Sequence, residues 1–428
     1  MRSLQRRLQH AMAASAMAAA VLVAASPTVS AAPVVRNVPG AYPTIQSAIN
    51  AAVDGDTVLV APGTYRERIG FRGKAIKVKS AAGAAVTVID AGQKGPVVTF
   101  KTGEPRGAIL NGFTVRNGIG LLPPHTVTPG AGINIINASP TVKANVIEFN
   151  VEGQVGAGVG INGGDALIQN NTIQHNEREW GAGLGVRAGA PVIVDNIIQD
   201  NSTGLDGSFG GGLAWFGGGD GVVRNNIIRR NSSTGSGGGV WVSTRAPRLI
   251  LAQNLITDNV VNPPGGGFLA QQGGGVYWAL AAGYVVNNTI ANNHATHGTG
   301  IYFGGVTPFT TVMNNIVTAD EGTSVIDCGM YRPTYVPYLA SNNVFGADIT
   351  TYAGDCAAGP IGPDNISGDP QFLDAEAGDY HLAATSPSID AGDNTAPGLT
   401  AWDLDGNPRR VGGTFAGVVD QGVYEFQP

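Results

Sequence analysis

The sequence predicts an all-β fold in which the chain winds into a parallel β-helix, and three observations predict it. An Asn-x-(Ile/Val/Phe)-x-x-(Asn/Asp) motif starts at Asn145, Asn171, Asn196, Asn226, Asn254, Asn288, Asn315 and Asn343, a mean step of about 28 residues. A Gly-x-Gly motif lies between successive copies, each time followed by two alternating apolar residues: Ile133/Ile135, Val159/Ile161, Leu184/Val186, Leu213/Trp215, Val240/Val242, Val276/Trp278 and Ile301/Phe303. No helical periodicity separates the repeats.

Each element has a physical reason. Alternating β-branched residues mark short strands, and stacking the units pairs each strand with its counterparts about 4.8 Å above and below. Glycines before the strands supply corners that need positive φ. The asparagines turn inward at corners whose backbone would otherwise be unpaired, and stacked amides satisfy both neighbours. Two columns are expected, one from Asn145 to Asn343 and one through Asn150, Asn176, Asn201, Asn231, Asn259 and Asn293.

Composition excludes other classes. The chain has 428 residues, 13% charged and 43% hydrophobic, which is too apolar for a disordered chain. Its 64 glycines follow no Gly-X-Y period, so collagen is excluded. A net charge of −6 argues against a general nucleic-acid binder. Arg2, Arg6 and Arg7 precede an apolar run from Ala11 to Ala25 and the small residues Val29-Ser30-Ala31, the pattern of an export signal over residues 1–31. The Arg6-Arg7 pair leaves general and twin-arginine export both open. No later run is long and apolar enough to span a bilayer. The mature chain is expected to be a secreted or extracellular monomer.

The run Tyr42-Pro-Thr-Ile-Gln-Ser-Ala-Ile-Asn50, followed by Asp54-Gly-Asp-Thr-Val-Leu-Val-Ala-Pro-Gly-Thr-Tyr-Arg-Glu67, resembles the opening of bacterial right-handed parallel β-helix proteins with the pectin-lyase-like fold. The resemblance implies a short helix whose Ile45, Ala48, Ile49 and Ala52 plug the first open end, with the β-helix over residues 36–345. The segment 346–428 resembles the tail of choice-of-anchor Q β-helix proteins through Asp369-Pro-Gln-Phe372, Gly378-Asp-Tyr-His-Leu382, Ser386-Pro-Ser-Ile-Asp-Ala-Gly392, Asp403-Leu-Asp-Gly-Asn-Pro-Arg409 and Gly422-Val-Tyr-Glu-Phe426. It is expected to form an irregular C-terminal cap. Cys328 and Cys356 are 28 residues apart, one repeat, so equivalent positions on adjacent turns would form a disulfide.

Candidate chemistry lies on the outside. In the Gly-x-Gly strands the outward column runs Asn134, Gly160, Gly185, Ala214, Trp241, Tyr277, Tyr302. Trp241, Tyr277 and Tyr302 would form a flat ladder for sugar rings, with Trp180 nearby, or would pack under the loop 260–272. Variable loops on one edge carry Glu177, Arg178, Glu179 and Asp206, with Arg187 on a neighbouring strand. Carboxylates there suit paired-acid hydrolysis or Ca²⁺ ligation, and an arginine would be the base of a lyase. The alternative is a solvated loop face. The Asp-Asp and Gly-His-Gly strings of polygalacturonase-like hydrolases are absent. Gly63-Thr-Tyr-Arg-Glu67 matches pectin-methylesterase-like enzymes only in their first turns. Asp403, Asp405 and Asn407 alternate like half a Ca²⁺ loop, or form a plain polar turn. The expected function is binding, with or without lyase or hydrolase cleavage, of extracellular polysaccharide or a cell-surface glycan. The second reading is a non-catalytic adhesive solenoid.

Overall fold

The computed structural model describes residues 32–428 except 123–125, 179, 205–207, 218, 244–247, 262–270, 306, 308, 330–334, 360 and 411–416. Among the described residues, three long parallel sheets of twelve, eleven and eleven strands stack turn upon turn. The first sheet runs from Val35–Val38 to Tyr338–Ala340, the second from Gly63–Tyr65 to Asn343–Gly346, and the third from Ile69–Gly70 to Thr350–Gly354. The architecture is a right-handed parallel β-helix, as the repeat requires.

Alternation within each short strand builds the core. In the second sheet Ile147, Ile173, Ile198, Ile228, Ile256 and Ile290 follow one another in register, all with no solvent exposure. In the third sheet both apolar residues of every Gly-x-Gly repeat face inward, from Ile133/Ile135 to Ile301/Phe303, each at most 1% exposed. Each such side chain contributes roughly 1.5–3 kcal/mol of burial.

Asparagines line two corners. Along the first, Asn145, Asn171, Asn196, Asn226, Asn254, Asn288, Asn315, Asn342 and Asn365 form one chain of amides. Each Oδ1 accepts from both the backbone N–H and the Nδ2 of the preceding asparagine; for Asn226 both distances from Asn196 are 3.0 Å. The second column links Asn150, Asn176, Asn201, Asn231, Asn259 and Asn293 in the same way. The residue before each ladder asparagine turns the corner in the left-handed region, including Ala144, Phe149 and Arg230 at φ 52°, 53° and 51°.

The first column differs from expectation at its end. Asn342, not Asn343, continues the ladder, because Val344 pairs with Val317 on the inward side and fixes the parity of the strand. Asn343 instead donates from Nδ2 to Ser388 Oγ at 2.9 Å and anchors the tail. The Gly-x-Gly pairs also divide their work. Gly181, Gly210, Gly237, Gly273 and Gly298 take positive φ. The second glycine does not; it makes room for the ladder, since a methyl at Gly183 would lie 2.9 Å from Asn201 Nδ2 and 2.6 Å from the Gly212 carbonyl.

The first open end is plugged by helix α1 (Ile45–Ala51), which starts with a Thr44/Ser47 capping box and buries Ile45, Ala48 and Ile49. The Glu67 carboxylate accepts from Ile45 N and Gln46 N, and Lys74 Nζ donates to the carbonyls of Ile49, Asn50 and Ala52. Opposite charges therefore hold opposite ends of the helix. This gives the Gly63-Thr-Tyr-Arg-Glu67 run a structural role.

The Cys328–Cys356 disulfide forms, with Cα atoms 5.2 Å apart. Cys328 pairs across the turn with Gly354, so Cys356 lies two residues past the equivalent position; the short helix α2 (Asp355–Ala358) brings it back. Beyond the last turns the chain runs back along the first asparagine corner. Asn314 Nδ2 donates to the Asp393 carbonyl, Gln253 Nε2 to that of Trp402, and Asn287 Nδ2 to those of Asp420 and Gly422. Buried Arg409 ties this tail together, donating from Nη2 to the carbonyls of Gly422 and Val423.

Candidate functional site

The outer face of the third sheet is the surface on which the fold assembles polar, aromatic and charged side chains. Its register brings Thr99, Asn134, Gly160, Gly185, Ala214, Trp241, Tyr277, Tyr302 and Asp327 into one column. The column has three zones with different chemistry.

In the C-terminal zone, Trp241 and Tyr277 stack at 6.2 Å and 8°, and Tyr277 and Tyr302 at 5.6 Å and 9°. The rings face each other rather than solvent. Phe209 and Phe216 pack on Trp241, Tyr302 is only 7% exposed, and Trp180, 41% exposed, packs on Phe216. The flat exposed platform, one of the two expectations, is thus replaced by a column of overlapping rings; the loop 260–272 of the other expectation lies mostly outside the described residues. Glycines make the overlap fit: a methyl at Gly304 would lie 2.4 Å from the Tyr277 hydroxyl oxygen, and one at Gly329 1.8 Å from that of Tyr302.

Asp327 follows Tyr302 in this column, ahead of Ala353, and no motif in the sequence marks it. Burial raises its carboxyl above the usual range, opposed by a hydrogen bond from Ser324 Oγ at 3.2 Å and by nearby His297. His297 Nδ1 lies 3.1 Å from Thr323 Oγ1 and 3.7 Å from Asp327 Oδ2. Thr323 gives its own proton to the Thr296 carbonyl at 2.7 Å, so His297 carries its proton on Nδ1.

In the middle zone the loops close over the sheet. A methyl at Gly160 would lie 2.1 Å from the Pro129 carbonyl, and one at Gly185 1.6 Å from that of Val155. The backbone of Pro129 and Val155 thus lies directly on the outer face at Gly160 and Gly185. Of the acids and bases singled out by sequence, Glu177 is exposed beside ladder residue Asn176, Arg178 follows it, and Arg187 is exposed at the end of its strand Leu184–Ala188. Among the described residues no ion pair joins Glu177 to Arg187. Glu179 and Asp206 lie outside the described residues.

Asp403, Asp405 and Asn407 form a turn closed on itself. Asp403 Oδ1 accepts from Asn407 N, its Oδ2 accepts from Glu425 N, and Asp405 Oδ2 meets His381 Nε2 at 2.8 Å. With both Asp403 oxygens accepting backbone N–H groups, the run takes the form of the plain polar turn that was its other reading. Among the described residues no cluster of three metal-binding side chains occurs.

The N-terminal zone holds an open groove of about 730 Å³. Its walls include Thr99, Thr102, Asn134 and Gln46 beside Ile69 and Ile136, with Arg68, Arg72 and Lys101 at the margin. A second groove of about 510 Å³, lined by Arg66, Arg68 and Lys94, adjoins it around the corner. Sequence reasoning missed both. The available signal was local charge: residues 33–145 hold 12 Lys and Arg against 5 Asp and Glu, whereas residues 146–428 hold 10 against 26.

Residues 125–345 match the family described as the right-handed β-helix region. The chain belongs to this family. No curated protein matches it in sequence. Among solved structures, this β-helix protein is similar to pectate lyase Pel9A at 13% identity and a TM-score of 0.54, over 92% of this chain and 97% of that one. It is also similar to the PL6 family alginate lyase AlyGC at 15% identity and a TM-score of 0.39, over 87% and 60% of the two chains. A mannuronic acid specific family 6 lyase from human gut microbiota matches at 15% and 0.37, over 79% and 87%. At 13% identity the likeness to the pectate lyase is one of fold alone. Among the described residues no helix is long and apolar enough to cross a membrane.

Proposed function

We propose that this β-helix protein is exported and binds extracellular polysaccharide in the groove over the first turns of its third sheet. The observation that carries the reading is the groove's lining, in which the accessible hydroxyl-bearing side chains of Thr99 and Thr102 lie in one groove with the half-buried apolar side chain of Ile136. A sugar ring offers the same mixture of hydroxyl rim and C–H face. On this reading residues 1–31 are the export signal, and the tail beyond residue 345 is of the choice-of-anchor Q type. Trp180, the exposed member of the aromatic group, is a secondary contact.

A second reading, a stiff adhesive spacer without turnover, draws support from the loops that close the middle of the same face. Glycan-array binding followed by calorimetry separates the two. Binding that is lost in Thr99→Trp, which fills the groove, is the expected result; a wild-type chain that binds no glycan overturns it. Assays for reducing ends and unsaturated products on the bound glycans report whether cleavage accompanies binding.

A further inference from the structure

We infer that the ligand of this site is a multiply anionic chain, held by Arg72 and Lys101 in the larger groove, by Arg66 and Lys94 in the smaller, and by Arg68 between them. The inference rests on the polysaccharide reading and adds the ligand's charge and path. All five cations are exposed, and among the described residues none makes an ion pair or a side-chain hydrogen bond. The acids beside them are already occupied. Glu67 accepts from the first N–H groups of α1. Glu104, 1% exposed, accepts from Gly73 N, Thr102 N and the Thr102 hydroxyl. Asp90 accepts from Arg116, Asn117 and Gly92 N.

Uncompensated positive charge therefore concentrates in two adjoining cavities, while most of the remaining chain is acidic. A single small anion would engage only one groove. A chain bearing several carboxylates or sulfates could pass Arg68 and occupy both, running around the solenoid rather than along it. The acidic later turns would repel the same polymer and confine it to this end. Exposed contacts of this kind are individually weak and screened by salt, so binding needs several of them together.

The test measures binding of the full chain to polygalacturonate, dextran sulfate, uncharged dextran and polyglutamate at low and high salt. Arg72→Glu/Lys101→Glu and Arg68→Glu are compared with Lys77→Glu/Lys79→Glu, which reverses exposed charges on the first sheet outside the grooves. Melting curves check that each variant is folded. We expect polyanion binding to fall about 10-fold or more with salt and in the groove variants, and less than about 3-fold in the control. An equal loss in the control overturns the groove assignment. Salt-independent binding of uncharged dextran leaves the polysaccharide reading standing and removes this inference. Polyglutamate binding as tightly as the glycans leaves the anion site standing and removes the polysaccharide reading. No binding to any polymer removes both.

Discussion

Replacing Asn226 with alanine removes five hydrogen bonds from a side chain that has no solvent exposure. Its Oδ1 accepts from Asn196 N and Nδ2, both at 3.0 Å, while its Nδ2 donates to Asn254 Oδ1, Ile193 O and Arg224 O. Some partners survive the loss. Asn196 Nδ2 keeps the carbonyls of Ile168 and Val194, and Asn254 Oδ1 keeps the backbone N–H of residue 226. The backbone N–H of Asn196 is left with no acceptor, which costs about 1–3 kcal/mol, and the vacated space brings the expected total to about 3–5 kcal/mol. Asn365→Ala, at the half-buried end of the same ladder, should cost only about 1 kcal/mol because water can replace the lost acceptor. Urea unfolding followed by far-UV circular dichroism measures both, and hydrogen exchange at Asn196 reports the orphaned amide. A loss below 1 kcal/mol in Asn226→Ala, or equal losses at both sites, would refute the ladder as a cooperative support.

Three other outcomes are expected. Burial, then the Asp420 charge, pushes the Glu425 carboxyl up to about 8, with Arg409 acting the other way. The folded chain therefore holds a proton that the unfolded chain releases near pH 4.5, so this contribution is complete below that pH and is lost as pH rises toward 8; Glu425→Gln should flatten the decline in melting temperature over that range. Removing the disulfide as Cys328→Ser/Cys356→Ser reopens a 28-residue separation and should cost roughly 3–4 kcal/mol on the chain-entropy model, measured by denaturant unfolding. Gly329→Ala places a methyl in the space of the Tyr302 hydroxyl and should cost about 1–3 kcal/mol, with a changed near-UV signal from the tyrosine stack; an unchanged near-UV spectrum would show that the ring is not wedged there.

The fold was legible because its rule is local and repeated: inward apolar residues, two corner asparagines and a glycine pair recur at readable intervals along the central turns. Reading failed where two registers compete for the same letters. From Asn343 the run to Asp348 matches the whole asparagine motif, whereas from Asn342 it matches only as far as Val344, and it is the burial of Val344 that selects Asn342. The aromatic column was found by spacing, but whether rings show faces or edges depends on χ angles and on the notches at Gly304 and Gly329, which spacing does not encode. Asp327 was passed over because its neighbours, His297 and Thr323, come from the approach to one strand and the turn before the next. The basic grooves escaped because whole-chain charge averages a cationic beginning with an acidic remainder.

The returning tail changes how the molecule would carry a load. Tension applied through its last residues enters well inside the solenoid, where Val423 N meets Thr289 Oγ1 and Gly422 N meets the Asn314 carbonyl, rather than at the final turn. Gln421 adds a bond to the Ser341 carbonyl farther along the same flank. These contacts form a lap joint spread over several turns, so an axial pull shears them together and the terminal coils are clamped instead of peeled.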